Sequence, residues 1–162
     1  MDILASIAEI SVAFAGFAGI ITALSGRGFG GLDQGNITRF RLMIYSSLSA
    51  TLVALLPFLV AHNSTAINWW FCILLLTLFL IGFLTVLVRV FIVQVAQAQL
   101  SGPVAYSVVS LGITAVIVQM LALSGLIEAD LGIYMFGVYY LLIQSGISFT
   151  RLITASIAVP HD

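Results

Sequence analysis

ILASIAEISVAFAGFAGIITAL, residues 3–24, is the stretch whose reading decides the fold. As an α-helix rising about 1.5 Å per residue it reaches roughly 33 Å, enough to cross a hydrocarbon core about 30 Å thick. One ionisable side chain, Glu9, lies inside it. Laid out at about 100° per residue, the large apolar residues Ile3, Ile7, Ile10, Phe14, Phe17 and Ile21 gather on one side. Ala8, Glu9, Ser11, Ala13 and Gly16 fall mostly on the other. Ser11, Ala15, Gly19 and Ala23 follow at intervals of four, the small-xxx-small spacing that lets helices approach closely in lipid. The expectation is a packed helix with its small face, and Glu9 on it, turned toward protein. Met1-Asp2 carries no positive charge, so the stretch reads as a span and not as a cleaved signal peptide.

The rest of the chain has the same character. Of its 162 residues 62% are hydrophobic and 7% charged, with a mean hydropathy of +1.23. Soluble domains carry about a quarter charged residues, so the composition is that of a membrane protein with no soluble domain set aside. The expected fold is an all-α integral membrane helical bundle: a single transmembrane domain over residues 1–162. Five spans are expected at 3–24, 40–61, 69–95, 104–124 and 131–153. A net charge of −1 gives no footing for nucleic acid. Lysine is absent, which excludes Schiff-base chemistry and a P-loop. The single cysteine, Cys72, excludes an internal disulfide and a thiolate metal cage. No metal, cofactor or enzymatic activity is expected.

The connections set the topology. Residues 25–35, SGRGFGGLDQG, are too glycine-rich to be helical throughout, and Asp33 or Asn36 is a candidate N-cap for the second span. HNSTAIN at 62–68 and LIEAD at 126–130 read as short polar turns, and Ser101-Gly102-Pro103 as a break. With five spans, Arg27, Arg39, Arg41, Arg89 and Arg151 all fall on one side of the membrane. The positive-inside rule then places the N-terminus outside and the C-terminus in the cytoplasm, in the inner (plasma) membrane. Trp69 and Trp70 stand at the outer boundary. The third span is apolar all round and is expected to face lipid on most sides.

Two polar layers follow from depth. Glu9, Gln119, Tyr139 and Tyr140 lie roughly 8–14 Å from the outer boundary, with the carbonyl of Val53 freed at similar depth by Pro57. They are ion- or proton-site candidates, because a carboxylate inside a membrane is costly and usually functional. The other reading is a protonated Glu9 that serves packing alone. In the inner half, Tyr45, Ser46, Ser47, Ser49 and Thr51 of the second span and Tyr106, Ser107, Ser110 and Thr114 of the fourth read as interhelical hydrogen-bonding groups. Gln144, Ser148 and Arg151, at i, i+4 and i+7, are candidates to line an inner vestibule. His62 and His161 fall on opposite sides and cannot share a metal.

Ala8-Glu9-Ile10 is similar to the membrane-embedded acid of small multidrug-resistance transporters, over those three residues alone. Those proteins have fewer and shorter spans, and their function is not carried over. The expected function is a homo-oligomeric channel or pore with a ring of Glu9. The alternatives are an accessory or structural subunit of a larger membrane complex and a small proton-coupled transporter. Expected partners are the lipid bilayer, further copies of the chain or other subunits.

Overall fold

Asn68 and Asp130 begin two of the helices, each by the same device. The Asn68 side chain accepts a hydrogen bond from the Phe71 amide at 3.2 Å, and Asp130 Oδ1 accepts one from the Ile133 amide at 2.9 Å. Each satisfies an amide that the first turn leaves without an intrahelical partner. Their own carbonyls accept from Cys72 and Tyr134, starting the ladders. A computed structural model describes residues 2–24, 34–61, 68–96 and 102–157. Among these the chain is all-helical, with α1 at Asp2–Leu24, α2 at Gln34–Ala61, α3 at Trp69–Ala96, α4 at Gly102–Leu123 and α5 at Leu131–Ile157.

Four helices are long and apolar enough to cross a membrane, over Phe40–Val60, Trp69–Val93, Tyr106–Leu123 and Leu131–Arg151. In α1 the described apolar run is Ile3–Phe17. The second helix begins at Gln34, so Asn36 lies inside it and is not its cap. Gly102 and Pro103 open α4 instead of breaking the chain ahead of it, since proline is tolerated in a first turn where its missing N–H costs nothing. The α4 C-terminus closes on Gly125, whose φ of 79° is open to glycine without a Cβ clash. The Leu126 amide donates to the Leu121 carbonyl and the Gly125 amide to that of Ala122, both at 3.1 Å. This pair of bonds satisfies carbonyls that the helix end would otherwise leave free. The glycine-rich loop, Arg27, His62 and His161 lie outside the described residues.

The chain forms two compact units, one of Met1–Ala54 with Leu141–Asp162, the other Leu55–Tyr140. In the first, Leu4, Ile7, Ala8 and Ser11 form the buried stripe of α1. Phe14 meets Phe149 of α5 with ring centroids 5.5 Å apart, and Phe149 also packs on Phe40 and Met43 of α2. In the second, α3 packs against α4. Ile73, Leu76, Leu80 and Leu87 form the buried ridge of α3 at steps of three, four and seven, with Cys72 buried beside Ile73. A third of the α3 span is buried and 28% of the α4 span, so most of each is left uncovered by the chain itself. Leucine and isoleucine ridges interdigitate by van der Waals contact, and an inward face does not require small residues.

Candidate functional site

Glu9 is exposed. Its neighbours on the sequence explain this: at about 100° per residue Glu9 stands about 160° from Ser11, on the side of α1 opposite the buried stripe. The expectation that Glu9 and the small residues share one inward face is therefore corrected. Ser11 is fully buried and donates to the Ile7 carbonyl at 2.7 Å, Ala15 is half-buried and Gly19 exposed. A Cβ added to Gly16 or Gly19 would meet nothing within 4 Å. The side chain of Ala23 lies outside the described residues. The outward surface of α1 thus combines a carboxylate with open glycines.

Gln119, on α4, is fully buried in the second unit. Its amide lies 2.9 Å from Thr77 Oγ1 on α3, and its other end fills the space where a Cβ on Gly137 of α5 would stand. Thr77 Oγ1 also lies 2.6 Å from the Ile73 carbonyl, and a hydroxyl has one proton to give. Thr77 Oγ1 therefore shares its one proton between the Ile73 carbonyl and Gln119 Oε1, and Gln119 Nε2 has no hydrogen-bond partner among the described residues. The end that faces Gly137 is Gln119 Nε2. Tyr140 makes the converse insertion. Its hydroxyl, buried and without a hydrogen-bond partner among the described residues, fills the space left by Gly112 of α4. Side chains of α4 and α5 so occupy glycine gaps in each other. Tyr139, about 100° further round α5, is 40% exposed and takes no part. Val53, four residues before Pro57, has an interaction partner.

The Gln144, Ser148 and Arg151 stripe belongs to the first unit. Gln144 and Ser148 are buried, and a long 3.5 Å contact joins them; Arg151 is half-buried and has an interaction partner. One residue after Gln144, Ser145 shares a 2.7 Å hydrogen bond with Ser47 of α2. Most other hydroxyls turn to their own helix: Ser46 to Met43, Thr51 to Ser47, Ser107 to Val104, Ser110 to Ser107 and Thr114 to Ser110. The expected interhelical role of the inner polar layer is corrected to the Ser47–Ser145 pair. Helix-internal bonding is available to a hydroxyl at no cost in partner geometry.

Sequence reasoning passed over Tyr134, fully buried with its ring 5.9 Å from Trp69. Trp69 had read only as a boundary anchor, although Asp130, four residues before Tyr134, was a legible N-cap for the helix that carries it. Among the described residues no three of His, Cys, Asp and Glu gather into a metal-binding set. No protein-family model, curated protein or solved structure matches the chain.

Proposed function

We propose that this chain is the subunit of a homo-oligomeric cation channel of the inner membrane, with α1 facing a shared axis. One observation carries the reading: Glu9 is exposed on α1 opposite the stripe that packs into its own unit. An acidic side chain on a lipid-facing helix costs up to roughly 3 kcal/mol at the bilayer centre on insertion scales, and a second chain and pore water lower that cost. A ring of carboxylates from symmetry-related copies favours cations over anions. In this reading α1 is the fifth span, the N-terminus lies outside and the C-terminus in the cytoplasm. The arginines of the chain support that orientation.

An accessory subunit of a larger complex is the second reading. The open space around Gly16 and Gly19 supports it, because a helix of another polypeptide fits there as well as a second copy does. A transporter path within one chain has less support, since Gln119, Tyr140, Gln144 and Ser148 are buried in packing. Native mass in mild detergent separates the first two. A closed homo-oligomer of the purified chain is the expected result; a monomer that gains mass only with co-purifying proteins supports the accessory reading. A reporter active only outside the cytoplasm, fused after Asp162, is expected to be silent.

A further inference from the structure

Between α3 and α4, on the surface of the second unit, runs a groove of about 460 Å³. Its volume falls within the roughly 300–1,000 Å³ of small-molecule sites. Ile81, Leu84 and Val88 wall it on α3, and Ile113, Val116 and Ile117 on α4; Thr85 and Arg89 are its two polar residues. Ile81, Thr85 and Arg89 recur every four residues, as do Ile113 and Ile117, so two outward ridges flank a valley. Thr77 meets Gln119 and Leu84 lies against Gly112, so seven residues forward on α3 match seven backward on α4. In that antiparallel register Arg89 lies beyond the last α4 wall residue, toward the α4 N-terminal end.

The depth of Arg89 matters most. It follows Trp69 by twenty residues on one unbroken helix, about 30 Å of rise. That equals the hydrocarbon thickness, so with the indoles of Trp69 and Trp70 at one interface, Arg89 stands at the headgroup level of the other. Arg89 is exposed, and none of the described residues pairs with it. Thr85 does not add a second donor, because its hydroxyl gives its proton to the Ile81 carbonyl at 2.8 Å.

We infer that this groove holds one anionic phospholipid, with an acyl chain between α3 and α4 and its phosphate on the Arg89 guanidinium. Basic positions beside clefts between membrane helices recognise anionic headgroups in this way, and guanidinium binds phosphate oxygens in a bidentate fork. Charge complementarity picks the lipid over a second copy of the chain packed in the same orientation, whose acids Glu128 and Asp130 follow the C-terminal end of α4, away from the level of Arg89. The inference does not depend on the channel reading.

The test uses the full-length chain, stripped of lipid in mild detergent and offered phosphatidylglycerol and phosphatidylcholine with identical acyl chains. Native mass spectrometry is expected to show one tightly held phosphatidylglycerol per chain, preferred about fivefold, the worth of one arginine near an anionic headgroup. Arg89→Gln is expected to abolish the preference and Arg89→Lys to keep most of it. Ile117→Trp, at an exposed position, fills the groove and is expected to lose both lipids. An undiminished preference in Arg89→Gln overturns the proposal. So does an Ile117→Trp variant that retains its lipid but changes oligomeric mass, because another protein chain then occupies the groove.

Discussion

The Tyr140 hydroxyl occupies the place of a side chain on Gly112: a Cβ there would stand 2.6 Å from the oxygen and 2.7 Å from Cζ. Leu84 closes the same space at 2.9 Å. Gly112→Ala is therefore expected to destabilise the helical fold by about 1–3 kcal/mol, the usual cost of overpacking. Tyr140→Phe alone is expected to be neutral or slightly stabilising, since it removes a buried hydroxyl that has no described partner. Midpoints of detergent-induced unfolding for the two variants give the comparison. A Gly112→Ala protein as stable as wild type contradicts the insertion.

Thr77 and Gln119 form a buried side-chain link between α3 and α4, and it carries a magnitude. Hydrogen bonds between membrane helices average about 0.6 kcal/mol by double-mutant cycles, with a maximum near 1.7. A cycle of Thr77→Val and Gln119→Leu is expected to return a coupling in that range. A coupling indistinguishable from zero would show that Gln119 is held by Gly137 and the leucines around it alone.

Helix content was legible in the sequence because length and apolarity suffice, as at Trp69–Val93. The exposed side of each helix was harder to read. In a soluble helix the polar face marks the outside, but in lipid the outside is as apolar as the core, and Phe79 and Leu80 look alike. Leu80 is buried and Phe79 is not. The separation of Glu9 from Ser11 was legible from helical geometry, yet grouping α1 by residue size put the two together. The pairing of Gln119 with Gly137 and of Tyr140 with Gly112 was not legible. Each pair joins distant positions on different helices, and nothing local to either residue names its partner. The Asn68 and Asp130 caps carry an ordinary sequence signal, a short polar residue just before an apolar run.

In the first unit, Ser47 and Ser145 bring α2 and α5 within 2.7 Å at their hydroxyls. Cysteines at both positions are expected to form an intramolecular disulfide on mild oxidation, since the side chains already converge. The experiment needs a Cys72→Ala background, Cys72 being the only native cysteine. Faster migration of the oxidised double variant, absent from either single variant, is the expected result. Failure to cross-link under conditions that oxidise an exposed control pair would contradict the pairing.

Glu9 carries the proposed function, and cation flux into liposomes holding the purified oligomer tests it most directly. Glu9→Gln keeps the size and hydrogen-bonding capacity of the side chain but removes the charge that attracts cations. The expected result is an oligomer of unchanged mass whose cation flux falls at least about tenfold, equivalent to about 1.4 kcal/mol, while Glu9→Asp keeps part of it. A conducting wild type whose flux is unchanged in Glu9→Gln would contradict the role given to this carboxylate.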